Sequence, residues 1–276
     1  MTEGKRVRGR GDIKKTLGQH FLTNPGIALK MVGASGITAD FGVIEIGPGR
    51  GALTKELVKT AGKVVAIELD GDLIPGLEKD FETSGKLSLI HKDALEVDFN
   101  ELINTEFAHM PVAIFGNLPY YITSPIVMKL LESKLSAEMI VVMVQKEAAR
   151  RLAAKERSRE VGAVTLAVRY FSEPELLFDV APGSFYPVPK VTSTVVKLSI
   201  RKGPPVAPGD EALMFAMIRA AFAERRKFAL NSMSARLPAD KAELRKVFGL
   251  CGIDPSVRAE QLSLADYAAL AECFTG

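Results

Sequence analysis

The sequence predicts an α/β fold, in which a mostly parallel sheet closes with an antiparallel hairpin and a small all-helical domain follows. Three observations lead to this prediction. Short apolar runs alternate with amphipathic stretches along most of the chain, a segment rich in proline and glycine interrupts them, and only helical patterns come after it. The 276 residues, 47% of them hydrophobic and 25% charged, have a globular composition, which argues against disordered and fibrous classes.

The sheet is predicted from apolar runs that suit buried parallel strands. These runs cover residues 43–46, 63–67, 87–90, 112–115 and 139–144. Amphipathic stretches between them have helical spacing and the length of crossover connections, at residues 52–60, 73–81 and 125–134. Residues 175–180 and 192–200 flank a proline-rich turn and predict the antiparallel hairpin.

The domain boundary is placed at residues 202–209, where three prolines and two glycines in eight residues cannot sustain a helix or a central strand. The first domain is therefore predicted to cover residues 1–202, including a basic arm at residues 1–16. Residues 203–276 are expected to form the helical domain, with helices at 211–234, 239–248 and 264–274.

Charge is concentrated at the start of the chain. The net charge is +3, yet the first fifteen residues hold six basic and two acidic residues, a local charge of +4. Such an arm, with Lys14 and Lys15 at its end, can follow a nucleic-acid phosphate backbone, although a solvated tail is the alternative.

No apolar run approaches the roughly 20 residues that cross a bilayer, and no secretory signal follows the arm, so a cytoplasmic protein is expected. Free thiols are expected for Cys251 and Cys273, and no metal site is predicted.

A glycine-rich turn follows the first predicted strand. Gly47, Gly49 and Ala52 fit the fingerprint of a nucleotide-binding turn, and Glu68 ends the next strand 21 residues after Gly47, where it can accept hydrogen bonds from ribose hydroxyls. The pattern alone does not separate a nicotinamide cofactor from S-adenosylmethionine, and a tight turn without a ligand is a third interpretation. Asp93, after the third strand, can accept from an adenine amino group or can cap a helix.

The fourth strand runs into Asn117-Leu118-Pro119-Tyr120 at the same predicted edge of the sheet. The amino group of adenine is a poor nucleophile because its lone pair is delocalised into the ring. The side-chain oxygen of Asn117 and the carbonyl of Leu118 can accept its two hydrogens and free that lone pair, while Pro119 fixes the backbone. The remaining task is to align the nitrogen with an activated methyl group.

Two aromatic residues are candidates for contacts with the base. Tyr120 can stack on a flipped or single-stranded base, and Phe185 is the candidate for its opposite face. A plain Asn-x-Pro turn and a buried Phe185 are the structural alternatives.

The chain resembles the adenine dimethyltransferases of small-subunit ribosomal RNA. The resemblance covers nearly the whole sequence and rests on residues 17–22, 45–51, 65–70, 93–94, 116–120, 145–147 and 185–191. It implies a Rossmann-like, seven-stranded methyltransferase sheet with a helical C-terminal domain. The implied reaction transfers methyl groups from S-adenosyl-L-methionine to N6 of two adjacent adenines near the 3′ end of 16S rRNA during ribosome biogenesis.

The resemblance also implies roles for individual residues. Cofactor contacts are implied at His20, Leu22, Gly47, Glu68, Asp93 and Asn117. His20 stands where many members have Asn, and the charged loop at residues 155–162 stands where many have a Pro-Gly loop. A basic segment is similar to the RNA-contacting helix of the family and contains Arg219, Arg225, Arg226 and Lys227; a solvated charged face is the alternative.

The partner implied is the small-subunit rRNA within a pre-30S particle, bound by a monomer. Four rivals remain open: an adenine methyltransferase of large-subunit rRNA, an N6-adenine DNA methyltransferase, a nicotinamide-dependent dehydrogenase, and a non-catalytic RNA-binding factor.

Overall fold

The computed structural model describes residues 18–224 and 226–275. The basic arm with Lys14 and Lys15, and also Arg225, lie outside the described residues. The chain divides into two compact units, Met1–Ala149 with Glu175–Ile200, and Arg150–Pro174 with Arg201–Gly276. Within the described ranges, no helix has both the length and the apolar character that crossing a bilayer requires.

Nine strands are described between residues 18 and 224. They are β1 (Phe21–Leu22), β2 (Gly42–Ile46), β3 (Lys63–Glu68), β4 (Leu87–His91), β5 (Val112–Asn117), β6 (Met139–Gln145), β7 (Ser172–Val180), β8 (Phe185–Tyr186) and β9 (Ser193–Ile200). The helices are α1 (Pro25–Ser35), α2 (Ala52–Thr60), α3 (Ile74–Phe81), α4 (Phe99–Glu106), α5 (Thr123–Glu132), α6 (Lys146–Ala153), α7 (Ala163–Phe171), α8 (Glu211–Phe222), α9 (Ala229–Ser234), α10 (Lys241–Leu250) and α11 (Leu264–Thr275).

Seven strands form one sheet in the order β4-β3-β2-β5-β6-β9-β7. The pairs from β4 to β6 are parallel, and β9 is antiparallel to β6, which confirms the predicted fold class. The order reverses between β2 and β5. Because ligands of open α/β sheets bind at the carboxyl ends of the strands beside such a reversal, the topology predicts a site after β2, β3 and β5.

The central strands are buried because apolar side chains cover both of their faces. Val43, Phe115 and Val141 are fully buried in one core cluster, together with Leu57 from α2 and Met31 from α1. Because buried parallel strands are continuously apolar, the sequence pattern predicts them. The core fixes the ends of β2 and β5, from which the site extends.

The second unit has its own core. The Tyr170 ring packs edge-on against Phe171 and Phe215, with centroids 4.9 and 5.2 Å away. Its hydroxyl donates to Glu211 Oε2 at 2.9 Å. These contacts join α7 to α8 and account for the place of residues 150–174 in this unit. The sequence predicts that those residues belong to a domain of residues 1–202, and the limits of that domain stay a prediction.

The prediction of one helix over residues 211–234 is wrong. Helix α8 ends at Phe222, and α9 begins at Ala229 after an extended Phe228. Glu224, in the turn after α8, forms salt bridges with Lys227 in the same turn and with Arg236, which follows α9. The described basic residues of this segment therefore lie partly on a helix and partly on a turn.

Two glycines provide a matched test of the packing. A Cβ at Gly42 would lie 2.2 Å from Phe107 Cδ1, whereas a Cβ at Gly33 in α1 meets nothing within 4 Å. We expect Gly42→Ala to lower the free energy of unfolding by about 1–3 kcal/mol through overpacking. Gly33→Ala should raise it by about 0.5–1 kcal/mol because alanine favours the helix. Urea unfolding measures both, and a Gly42→Ala protein as stable as the wild type would contradict the described packing.

Candidate active site

A pocket lies where the topology predicts it, after the carboxyl ends of β2, β3 and β5. It encloses about 1020 Å³ of space, part of which is open to solvent. Its lining includes the predicted site residues His20, Leu22, Gly47, Gly49, Glu68, Asp93, Asn117, Leu118, Pro119 and Tyr120. Among the His, Cys, Asp and Glu side chains that the structure describes, no group of three or more is arranged to hold a metal ion.

The turn between β2 and α2 requires glycine for two reasons. Gly47, Gly49 and Gly51 have φ angles of 69°, 59° and 79°, in the left-handed region that side chains disfavour. A Cβ at Gly47 would meet no protein atom within 4 Å, although this residue lines the pocket. The missing side chain therefore leaves room for a ligand beside the backbone, as a nucleoside cofactor requires.

Glu68, at the end of β3, is 6% exposed and joins two loops of the pocket. Its Oε2 accepts from the Gly49 amide at 3.0 Å, and its Oε1 accepts from the Asp70 amide at 2.9 Å. Burial raises the pKa of Glu68, while the two backbone amides act in the opposite direction. Since each carboxylate oxygen has a second acceptor site, Glu68 can still accept from ligand hydroxyls.

Asp70 connects the loop after β3 to the segment before β1. It is 3% exposed, and its Oδ2 accepts from Gln19 Nε2 at 2.9 Å. Sequence reasoning gave neither residue a role, because a pair 51 positions apart has no local signal. The contact fixes the chain immediately before His20.

Asp93 can serve in both of the roles predicted for it, as a cap and as a hydrogen-bond acceptor for a ligand. Its Oδ1 accepts from the Leu95 amide at 2.8 Å and so caps the turn that follows β4. The residue is only partly buried and lines the pocket. A capping carboxylate retains a second oxygen, so the structural role leaves an acceptor for a ligand amino group.

The segment from Asn117 to Tyr120 presents two hydrogen-bond acceptors, Asn117 Oδ1 and the Leu118 carbonyl. Asn117 Nδ2 donates to the His20 carbonyl at 2.9 Å, which orients the amide. Within residues 18–224 and 226–275, neither Asn117 Oδ1 nor the Leu118 carbonyl accepts a hydrogen bond, whereas the Pro119 carbonyl accepts from Ile122 and Thr123. These two oxygens, which the sequence predicts as acceptors for an amino group, therefore remain available to a ligand.

Tyr120 forms an aromatic wall beside these acceptors. Its ring is stacked with that of His20, with centroids 5.4 Å apart and planes inclined by 29°. Its hydroxyl lies 3.4 Å from Ser193 Oγ on β9. Contacts on both the ring and the hydroxyl restrict the rotation of this side chain.

Phe185 is not among the residues that line the pocket. It pairs with Leu22 in the two-stranded β1–β8 sheet, is 3% exposed, and belongs to the core cluster. Its neighbour Tyr186 is 55% exposed. The predicted contact of Phe185 with a base stays a prediction, and it would require the side chain to leave the core.

Three of the residues predicted to contact RNA lie on the surface of the second unit. Arg219 is exposed near the end of α8, and Arg226 and Lys227 are exposed in the turn that follows. Lys227 forms a salt bridge with Glu224, which reduces the charge that it presents to solvent.

Glu45 lines the pocket. The sequence places it at the start of the glycine-rich stretch of residues 45–51 but predicts no separate role for it. It is 1% exposed, and its Oε2 has no hydrogen-bond partner in the described part of the chain. Burial raises the pKa of Glu45 to about 8; the adjacent Thr54 lowers it and the Glu68 carboxylate raises it. At neutral pH the group is therefore mostly the neutral acid.

Known proteins are similar to this chain over nearly its full length. The family model described as ribosomal RNA adenine dimethylase matches residues 10–275. Ribosomal RNA small subunit methyltransferase A of Geobacillus thermodenitrificans is 44% identical over 262 residues, covering 94% of this chain and 89% of the relative. The same-named protein of Shouchella clausii is 43% identical over 263 residues, covering 94% and 89%.

Solved structures share the fold. A dimethyladenosine transferase from Plasmodium falciparum superposes with a TM-score of 0.74 and 26% identity, covering 91% of this chain and 96% of that one. The 23S rRNA methyltransferase ErmE superposes with a TM-score of 0.66 and 24% identity, covering 93% and 100%. The second likeness supports the fold alone.

The raised pKa of Glu45 predicts a pH dependence of stability. The pKa in the folded protein, about 8, lies above the ordinary value of 4.5, so between these values the folded protein retains a proton that the unfolded chain has lost. The free energy of unfolding should therefore fall as pH rises, by up to about 1.4 kcal/mol per pH unit. Glu45→Gln removes this contribution. Urea unfolding of the cofactor-free proteins from pH 5 to 8 should show the wild type losing stability relative to the variant, and parallel pH profiles would contradict it.

Proposed function

The chain belongs to the ribosomal RNA adenine dimethylase family, and we propose that it transfers methyl groups from S-adenosyl-L-methionine to N6 of two adjacent adenines near the 3′ end of small-subunit rRNA. The product is a pair of N6,N6-dimethyladenines. The observation that carries the proposal is the pair of available acceptors, Asn117 Oδ1 and the Leu118 carbonyl, beside a pocket suited to a nucleoside cofactor.

The cofactor half of the pocket fits S-adenosylmethionine. Gly47 leaves space beside the backbone, Glu68 presents buried acceptors suited to ribose hydroxyls, and Asp93 presents an acceptor suited to the adenine amino group. His20, Leu22, Gly49 and Asn117 complete the proposed binding set. The bound cofactor supplies a methyl group on a positively charged sulfur, which needs no further activation.

The protein then acts mainly on the nucleophile. When Asn117 Oδ1 and the Leu118 carbonyl accept the two amino hydrogens, the nitrogen is drawn toward tetrahedral geometry and its lone pair becomes available. Pro119 restricts the backbone that carries both oxygens, so the acceptors are already oriented before the base arrives. The methylated nitrogen then loses one proton, which solvent at the open side of the pocket can accept, so catalysis depends on alignment and not on a strong base.

The second methyl transfer uses the same site. N6-methyladenine keeps one amino hydrogen, so one of the two acceptors suffices for it. Tyr120 supplies the stacking surface in both steps, worth about 1–3 kcal/mol for a base on an aromatic ring.

Replacement of Asn117 tests the acceptor role. Asn117→Ala removes Oδ1 from the amino group and should lower kcat for methylation of undermethylated small subunits by about 100-fold or more, the usual effect of losing an oriented polar group at a reacting atom. RNA binding should be retained. Asn104→Ala, on the exposed face of α4, is the control. Unchanged methylation by Asn117→Ala would refute the role.

The RNA substrate is tested by competition among nucleic acids. Labelled S-adenosylmethionine is incubated with the protein and either undermethylated small subunits, large-subunit RNA or duplex DNA. We expect label in the small subunits alone. Label in large-subunit RNA or DNA but not in small subunits would overturn the assignment.

We propose that Arg219, Arg226 and Lys227 contact rRNA phosphates, together with Arg225, Lys14 and Lys15, which lie outside the described residues. Arg226→Ala should weaken RNA binding and reduce the slope of log K against log salt by about 0.7–0.9, the value for one lost phosphate contact. Arg245→Ala, an exposed arginine of α10, is the control. An identical slope for Arg226→Ala and the wild type would contradict the contact.

We further propose that the substrate is a pre-30S particle, bound by a monomer in the cytoplasm. The proposal rests on the family and on the position of the target adenines in small-subunit rRNA.

A further inference from the structure

We propose that Tyr121 binds the nucleotide next to the target adenine, by stacking its ring on the base of that nucleotide at the rim of the pocket. The inference rests on the proposed function, in which two adjacent adenines are methylated. Two consecutive tyrosines then serve two consecutive bases: Tyr120 stacks on the adenine that receives the methyl group, and Tyr121 stacks on its neighbour.

Tyr121 is an exposed aromatic residue in the lining of the pocket. It is 56% exposed, and within residues 18–224 and 226–275 its hydroxyl has no hydrogen-bond partner. Tyr120 differs on both counts, because it is partly buried and its hydroxyl lies 3.4 Å from Ser193 Oγ. The first tyrosine is therefore held inside the site, and the second faces solvent beside it.

The Tyr121 ring is supported along one edge by the chain before β1. A Cβ at Gly18 would lie 3.4 Å from Tyr121 Cδ1 and 3.5 Å from Tyr121 Cε1, so these two ring atoms lie against the backbone of Gly18. The amide of Ile122 donates to the Pro119 carbonyl at 3.2 Å, which closes a turn around the two tyrosines. Because both the backbone and one edge of the ring are held, little ordering is needed when a base stacks on the ring.

The chemistry of the target creates a need for such a ring. The target adenine has to leave its stack to bring N6 to the acceptors of Asn117 and Leu118, and the neighbouring base then loses a stacking partner. Every base has an aromatic face, so a ring at the rim can replace the lost partner. The Cα atoms of Tyr120 and Tyr121 are about 3.8 Å apart, as in any trans-linked pair, and nucleotides follow each other along a stacked strand at about 3.4 Å. The two rings are therefore attached at a spacing that suits two successive bases.

Three variants isolate the ring. Tyr121→Ala removes it, and Tyr121→Phe keeps it without the hydroxyl. Tyr186→Ala is the matched control, because Tyr186 is 55% exposed in the same compact unit but does not line the pocket.

A double-mutant cycle between protein and RNA tests the stacking contact. Undermethylated small subunits are reconstituted with rRNA that has been ligated to a synthetic 3′ segment. This segment carries either both target adenines or one adenine beside an abasic nucleotide, and the abasic nucleotide is placed at each of the two positions in turn. The ring and the neighbouring base are thus removed separately and together.

Three measurements are made on each variant. The Kd for each particle is measured with S-adenosylhomocysteine present, so that no methyl transfer occurs. Calorimetry gives the Kd of S-adenosylhomocysteine itself. Mass spectrometry of the rRNA gives kcat for methylation of the adenines that each particle contains.

We expect Tyr121→Ala to weaken binding of the particle with both adenines by about tenfold, the size of one lost stack on an aromatic ring. For one of the two abasic particles the loss should be less than about twofold, because the base that the ring contacts is already missing. Tyr121→Phe and Tyr186→Ala should bind every particle like the wild type. In Tyr121→Ala the Kd of S-adenosylhomocysteine and kcat should stay within about twofold of the wild type, because Asn117, Leu118 and Tyr120 remain in place.

An equal loss of affinity for the intact particle and for both abasic particles would overturn the inference, because the ring would then contact something other than the neighbouring base. Unchanged affinity for all three particles would also overturn it, whether or not Tyr121→Ala binds S-adenosylhomocysteine more weakly. If Tyr121→Ala does not fold, Tyr121→Leu, which keeps an apolar contact with Gly18, is compared with Tyr121→Phe in the same cycle. Failure of the proposed function has a different signature, because the wild-type protein itself would then neither bind nor methylate the particle with both adenines.

Discussion

The buried carboxylate of Glu68 connects the parts from which the pocket is assembled. It accepts from the Gly49 amide on the loop after β2 and from the Asp70 amide after its own strand. Asp70 in turn accepts from Gln19 before β1. Burying a carboxyl group costs free energy that hydrogen bonds offset, so the bonds to Gly49 and Asp70 stabilise the loops in the arrangement that satisfies Glu68. The same arrangement leaves acceptors directed to a ligand.

The other half of the pocket has a different chemical character. Asn117 and Leu118 present neutral oxygens, and Tyr120 and His20 present stacked rings. The half with Glu68 and Asp93 presents carboxyl oxygens, whereas this half presents neutral acceptors beside an aromatic surface, which suit an amino group on a flat base. The segment from Gly18 to Leu22 reaches both halves, because Gln19 contacts Asp70 and the His20 carbonyl contacts Asn117. This short segment therefore connects the part of the pocket proposed to bind the cofactor with the part proposed to hold the base.

Much of the fold and of the site follows from local patterns in the sequence. The central strands were predicted because buried parallel strands are continuously apolar, and Gly47 and Asn117 because a strand followed by a turn places them at one sheet edge. The β1–β8 pair, the Gln19–Asp70 bond and the buried position of Phe185 arise from contacts between distant residues and have no periodicity. Helical propensity continues past Phe222, but the helix ends there and the chain turns before α9, where Glu224 forms salt bridges with Lys227 and Arg236. Local sequence patterns do not identify the RNA substrate, which only the family resemblance indicates.

The central claim is that two oriented acceptors prepare the adenine amino group for methyl transfer. A crystal structure of the protein with S-adenosylhomocysteine and an RNA fragment containing the target adenine tests it directly. If both oxygens accept from the amino group, N6 lies about 3 Å from Asn117 Oδ1 and from the Leu118 carbonyl, the usual hydrogen-bond distance. An ordered base with N6 more than about 4 Å from both oxygens, beyond hydrogen-bond reach, would contradict it.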